Sequence, residues 1–209
     1  MNRIARFLGV TAAVLVAACS SLREVALPAG SVVLIVGDSI SAGYGVAPDQ
    51  AWPARLAQRT GWRIVAAGVS GDRTAGGRER LPGLIDEHRP ALVLIELGGN
   101  DLLRGIPAAE ITGNLDAMIV TARASGARVA LMAAPQPSAL GALTGLAPAD
   151  LYADLAERRK VPLIGKALAS VLSDPALRSD AIHPNASGHG ALADRAFEEL
   201  LRSGVVAPR

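Results

Sequence analysis

The chain has 209 residues, half of them apolar, a length that suits one domain with a full core. Aromatic residues make up only 3% and no lysine or arginine cluster alternates with them, so the footprint of a nucleic-acid binder is missing. No period of 20 to 50 residues recurs, which excludes a solenoid or propeller.

The formal charge of +2 has to be read after the N-terminus is set aside. Arg3 and Arg6 precede an apolar run over 7–18 that is too short to span a bilayer and has the form of an export signal. The run closes on Val16-Ala17-Ala18-Cys19, which resembles the lipobox of bacterial lipoproteins; the small residues at 17 and 18 fit ordinary signal peptidase as well. Cys19 is the sole cysteine, so it cannot be half of an internal disulfide. The lipobox resemblance implies a cut before Cys19, a lipid on its thiol and, with Ser20 following, the periplasmic face of the outer membrane; the alternative is a soluble periplasmic protein. Loss of residues 1–18 removes Arg3 and Arg6 and no acid, so the 21 basic residues become 19 against 19 acidic ones. The mature chain is then neutral, and nothing in its charge asks for an acidic partner. Residues 1–18 are thus expected to be a signal, 19–30 a lipidated tether and 31–209 one domain.

Residues 32–36 are five apolar, mostly β-branched residues without polar alternation, the pattern of a strand buried on both faces of a parallel sheet. The strand ends on Gly37-Asp38-Ser39. Ligands of open α/β sheets gather beyond the carboxyl ends of the strands, which makes Ser39 a candidate nucleophile. The same tripeptide is also ordinary turn chemistry, and Ser39 can equally cap the next helix. Residues 41–45 read as a flexible loop, and 52–59 as a helix with Trp52 and Leu56 on one face. A second strand over 62–67 runs into the glycine-rich 68–72. Leu81, Leu84, Ile85 and His88 then follow helical spacing up to Pro90.

Residues 91–97 form a third strand, wholly apolar apart from Glu96, that opens into Gly98-Gly99-Asn100-Asp101. A helix over 108–124 buries Ile111, Leu115, Met118, Ile119 and Ala122 and ends at Gly126. A fourth strand over 129–133 leads to a loop over 135–147 rich in Pro, Gly and Leu, then a helix from Pro148 and a fifth strand over 161–164. The last segment passes Asp180 and His183 into a helix from Ser187 with Leu192, Ala196, Leu200 and Leu201 inward. Five strands alternating with helices, joined by right-handed crossovers, predict a parallel sheet covered on both faces: a three-layer α/β/α sandwich.

Three strands end in polar loops containing glycine, at 37–43, 68–72 and 98–101, and all should meet at one rim of the sheet. Acyl transfer needs a nucleophile, a base, a group to hold the base and donors aimed at the oxyanion. Ser39 offers the hydroxyl and its own N–H. Gly71, without a Cβ, lets the backbone approach a substrate oxygen and donate a second N–H. Asn100 supplies an amide, His183 the base, and Asp180 a carboxylate in reach of the imidazole. No G-x-S-x-G elbow occurs, which speaks against the ordinary α/β-hydrolase fold.

GDSIS, GVSGD, GGND and DAIHP resemble, in order, the four sequence blocks of the SGNH hydrolases, also called GDSL esterases and lipases. GDSISAGYG, AWPARL, GVSGDRTAGG, ELGGNDLLRG and AIHPNASG are most similar to the bacterial thioesterase I, lysophospholipase and arylesterase branch. The resemblance implies a flavodoxin-like sandwich with a five-stranded parallel sheet and no cofactor. It also implies Ser39 as nucleophile, Gly71 and Asn100 as oxyanion donors beside the Ser39 N–H, and Asp180 and His183 as the rest of a triad. Departures are Ile40, Ala66, Arg73 and Ala181, none of which removes a catalytic group, and the loop over 135–147, which bears on acyl-chain length.

Asn100 and Asp101 also suit a plain turn. Asp72 reads as an acceptor that orders its loop, His189 as structural, and His88 as a helix-end histidine favoured by the dipole. No H-E-x-x-H or cysteine pair supports a metal. The expected activity is hydrolysis of ester, or thioester, bonds of small acyl or lipid substrates by a protein held to the membrane through an N-terminal lipid. The rivals are a carbohydrate deacetylase on the same fold and a lipid-binding lipoprotein without turnover.

Overall fold

The computed structural model describes residues 25–138 and 145–207. Cys19 and residues 139–144 of the apolar loop lie outside the described residues. Five strands, β1 (Val32–Gly37), β2 (Arg63–Gly68), β3 (Leu92–Glu96), β4 (Arg128–Met132) and β5 (Leu163–Ile164), pair in parallel in the order β2-β1-β3-β4-β5. The expected sandwich is present. Alternate residues of the central strands serve opposite layers. Leu34, Val36, Val93, Ile95, Val129 and Leu131 pack with α2 (Thr74–His88), α4 (Ala108–Ala124) and α5 (Asp150–Arg159). Val33, Ile35, Leu92, Leu94, Ala130 and Met132 face α1 (Trp52–Thr60), α6 (Ala167–Leu172) and α7 (Ala186–Arg202). The chain leaves β1 for β2 on one side and returns to β3 on the other. The loops after β1 and β3 therefore part at a switch point, where a crevice opens beyond the carboxyl ends.

Some elements differ from the expectation. α2 begins seven residues before the apolar periodicity, because the Thr74 N–H and hydroxyl donate to the buried Asp101 carboxylate at 2.9 and 2.7 Å and fix its first turn. It also continues through Pro82. The Gly98 to Asp101 stretch, read as a loop, is the start of a short helix, α3 (Gly99–Leu103). α6 was not expected; most of its residues are buried, so it shows no polar face to reveal a period. β5 is two residues long because Pro162 has no N–H to give, and it contributes only its carbonyl, to Leu131 N–H.

The chain enters at the edge opposite the crevice. Leu27 N–H donates to Val205 O (2.9 Å), Gly30 N–H to Gly61 O (2.8 Å), just before β2, and the Arg128 guanidinium, at the start of β4, to Val25 O (2.8 Å). Residues from Leu27 on, expected as tether, are thus hydrogen-bonded to the domain.

Glu96, the one charged residue of β3, is buried at the strand's end. Its Oε2 accepts the Ser41 hydroxyl at 2.7 Å and the Asp38 N–H at 3.4 Å, joining β3 to the turn after β1. A Cβ on Gly37 would lie 2.3 Å from Ser41 Oγ and 2.6 Å from Glu96 Oε2, so only glycine leaves room for this contact. Complete burial, reinforced by the nearby Asp38 charge, pushes the Glu96 carboxyl well above the usual carboxylate range. A carboxyl raised in the folded state holds its proton where the unfolded chain has lost it, so it lowers stability progressively as pH rises above the unfolded value. Glu96→Gln keeps the acceptor oxygen and removes the titration. Its melting temperature relative to the parent should rise between pH 5 and pH 9; a difference that stays constant or falls, read by thermal melts at both pH values, would mean that Glu96 ionises as readily in the folded protein as in water.

Candidate active site

Ser39 stands in the turn after β1, and its Oγ is 3.1 Å from His183 Nε2 across 144 residues of sequence. The loop that presents His183 is tied down from several sides. Ser179 N–H donates to His183 O (2.9 Å), Asn185 Nδ2 to Ala176 O (2.9 Å), and Asn185 Oδ1 accepts Gly188 N–H to cap α7 (2.9 Å). Asp180 Oδ1 accepts the N–H groups of Ile182 and His183, both at 2.8 Å, and its Oδ2 lies 2.8 Å from His183 Nδ1. An ionised carboxylate only accepts, so Nδ1 carries the proton and Nε2 is left free to accept from Ser39. Partial burial pushes the Asp180 carboxyl up, but the bonds from the imidazole and the two N–H groups outweigh it and hold the carboxyl below its ordinary value. The Tyr44 ring covers the imidazole at 4.5 Å between centroids, with 38° between the planes.

The donors converge on the same place. Asn100, in the first turn of α3, gives one amide hydrogen to Asp38 Oδ2 at 3.0 Å, which orients the carboxamide and leaves the second hydrogen unused by that bond. Asp38 Oδ1 in turn accepts Ile40 N–H at 3.0 Å. Burial is the main influence on Asp38 and takes its carboxyl up to about 6, although the bonds from Ile40 and Asn100 oppose the shift. Asp72 N–H donates to Val69 O (3.0 Å), closing a turn in which Gly71 has φ +78°. Gly71 thus holds a left-handed backbone that glycine adopts without strain, and a Cβ there would meet no protein atom within 4 Å. Among the described residues, the N–H groups of Ser39 and Gly71 take no protein acceptor.

Around these groups lies a cavity of about 570 Å³ whose wall includes Ser39, Gly71, Asn100 and His183. Its apolar side is built by Leu103, Leu146, Leu168, Leu172 and Ile182, with Pro135 and Pro137 from the start of the apolar loop. The remaining polar residues have structural partners. Asp72 orders its loop by accepting Arg73 N–H (2.9 Å) and Arg80 Nε (2.9 Å), while Arg80 also donates to Ala67 O and Gly37 O and so braces the ends of β2 and β1. Asp101 is buried against Thr74. His189 is buried, accepts Trp52 N–H at Nδ1 (3.2 Å), and is pushed down to about 4, chiefly by burial. His88 ends α2, away from the cavity wall. Among the described residues no group of three or more metal-ligating side chains occurs.

Sequence reasoning missed the partners that hold the site: Glu96, Asp38 as the support of Asn100, and Tyr44 over the imidazole. A charged residue inside an otherwise apolar strand was the available signal for Glu96.

A sequence model of the GDSL-like lipase/acylhydrolase family matches residues 35–191. An arylesterase of Vibrio mimicus is 38% identical over 176 residues, 81% of this chain and 88% of that protein. The thioesterase 1/protease 1/lysophospholipase L1 of Escherichia coli K12 is 36% identical over 177 residues, 82% of this chain and 84% of that protein. The crystal structure of TesA superimposes with a TM-score of 0.74 at 36% identity, covering 83% of this chain and 99% of that one. With its strand order, its switch-point crevice and this extent of match, the chain belongs to the GDSL-like lipase/acylhydrolase family.

Proposed function

We propose that this serine esterase works through Ser39, His183 and Asp180, with the N–H groups of Ser39 and Gly71 and the Asn100 amide as oxyanion donors. The observation that carries the assignment is the unbroken Ser39–His183–Asp180 line at 3.1 and 2.8 Å. Ser39 Oγ attacks the carbonyl carbon of the bound ester while its proton passes to His183 Nε2. Asp180 stabilises the imidazolium, and the carbonyl oxygen, now an oxyanion, faces the three donors. Collapse breaks the bond to the leaving group, which takes the proton from Nε2 and departs as an alcohol or thiol. Water, giving its proton to the same nitrogen, then attacks the acyl-Ser39 and releases the carboxylic acid and the free serine.

Acyl esters and thioesters, lysophospholipids among them, are the substrates that fit an apolar cavity and the names of the related arylesterase and thioesterase/lysophospholipase. A carbohydrate deacetylase would need a polar, open pocket. A binding protein without turnover would have no use for a serine in contact with a carboxylate-held imidazole. The export reading completes the proposal: residues 1–18 are a cleaved signal, Cys19 carries a lipid, and the domain follows. Its support is the basic, apolar and Ala-Ala-Cys sequence at the N-terminus. Among the described residues no helix is long and apolar enough to cross a membrane.

A fluorophosphonate probe should label the protein at Ser39, and Ser39→Ala should abolish both labelling and ester hydrolysis without loss of folding; a Ser39→Ala protein that still turns over esters would remove the nucleophile. Asn100→Ala should lower kcat by about 10²- to 10³-fold, the usual cost of one oxyanion donor; a loss below threefold on a p-nitrophenyl ester would leave Asn100 with only its turn. Cys19→Ala should release the exported protein from the membrane fraction; retention there would point to another anchor.

A further inference from the structure

The turn after β1 continues past Ser39 as one coil. Ala42 N–H donates to Asp38 O (2.9 Å), Gly43 N–H to Ile40 O (3.2 Å) and Tyr44 N–H to Ser39 O (3.0 Å), so the backbone of Tyr44 is fixed to the residue that carries the hydroxyl. Gly43, at φ +73°, brings the coil against Ala51, whose Cβ would lie 2.7 Å from a Cβ at position 43. Tyr44 itself stays 55% exposed, and among the described residues its hydroxyl takes no hydrogen-bond partner. Its ring is engaged instead with His183, at 4.5 Å between centroids and 38° between planes, and the His183 side chain is left only 15% exposed.

The other groups around the imidazole meet it at its nitrogens or through space. Asp180, from the same loop, holds Nδ1, and Ser39 stands at Nε2. The charge of Asp38, in the turn after β1, is felt at His183; His189, on α7, stays neutral because burial pushes it down to about 4; and Arg178 lines the same cavity. An aromatic face carries partial negative charge and attracts a cation within about 6 Å of its centroid, whereas it does little for a neutral ring. With Nε2 accepting from Ser39 the imidazole is neutral, and it becomes an imidazolium when Nε2 takes the Ser39 proton. The contact therefore strengthens as charge develops, which is the condition for lowering the barrier rather than tightening the binding of substrate. We propose that Tyr44 is a positioning residue of the reaction, whose ring holds His183 toward Ser39 and stabilises its imidazolium form. The kinetic part of this proposal rests on the esterase reading; the hold of the ring on the imidazolium does not.

The test replaces the ring with a side chain that covers the imidazole but has no π face. Tyr44→Leu should lower kcat on p-nitrophenyl acetate about two- to fivefold, the range for a cation–π contact at a partly exposed site, with KM little changed. It should also move the acid limb of kcat/KM to lower pH by about 0.3 to 0.7 unit, because an imidazolium that has lost this partner gives up its proton more readily. Tyr44→Phe, which keeps the ring and drops the hydroxyl, should restore both. Asp38, at about 6, titrates in the region where an imidazole does, so the His183 ring is also followed by NMR in the Ser39→Ala protein with and without Tyr44→Leu. The same displacement to lower pH is expected there. A displacement to higher pH would mean that Tyr44 acts by keeping water off the ring, and no displacement that the contact carries no charge. A raised KM at unchanged kcat would make Tyr44 a cavity wall and nothing more. Each of these would overturn the proposal. A protein that hydrolyses no ester while its His183 titration still follows Tyr44 would instead remove the esterase reading and leave the contact with the imidazolium intact.

Discussion

A buried carboxyl group is what the geometry of this site depends on. Glu96 receives the hydroxyl of Ser41 and the N–H of Asp38, residues on either side of Ser39, and so pins the Ser39 turn to the central strand β3. An unpaired carboxyl buried here would be costly, and both bonds are donated to one of its oxygens. Gly37 is part of the same arrangement, since any side chain there would occupy the space of the contact. A turn left to its own dihedral preferences would place Ser39 only loosely; one bonded to the sheet on both flanks holds its hydroxyl where His183 can reach it.

Three carboxyl groups support three different groups, and their surroundings set them apart. Glu96 fixes the turn. Asp38, buried and raised to about 6, holds the amide of Asn100. Asp180, half exposed and lowered by its donors, holds the imidazole. Environments that push the carboxyl groups of one site in opposite directions are how similar side chains come to do different work. Around them, Arg80 and Thr74 use ordinary donors to fasten the loops after β1, β2 and β3 to the body of the domain.

What was legible in the sequence was whatever repeats or is chemically unusual. Apolar runs gave β1 and β3, helical spacing gave α4, and Ser39, Asn100, Asp180 and His183 stood out as polar residues at strand ends or in a tight cluster before a helix. What stayed hidden depended on contacts far along the chain. The strand order follows from pairing, which no local pattern encodes. The early start of α2 follows from Asp101, 27 residues away. α6 is apolar on nearly every side and offers no period. At Gly71 the residue type was legible, whereas the left-handed turn it sits in, closed by Asp72 N–H on Val69 O, was not.

The N-terminal segment is bonded beneath the edge of the sheet at Gly61, Val205 and Arg128, whereas the cavity opens above the other edge. Five residues, 20–24, lie between Cys19 and the first described residue, and the six Cα-to-Cα steps across them reach about 20 Å at most, no more than the roughly 20 Å length of β1 itself. If Cys19 carries the lipid proposed above, that leash is too short to climb past the domain and turn the mouth back onto the bilayer that holds it. The protein would then work in trans, fastened by its base to one leaflet and presenting its opening to whatever surface lies across the gap.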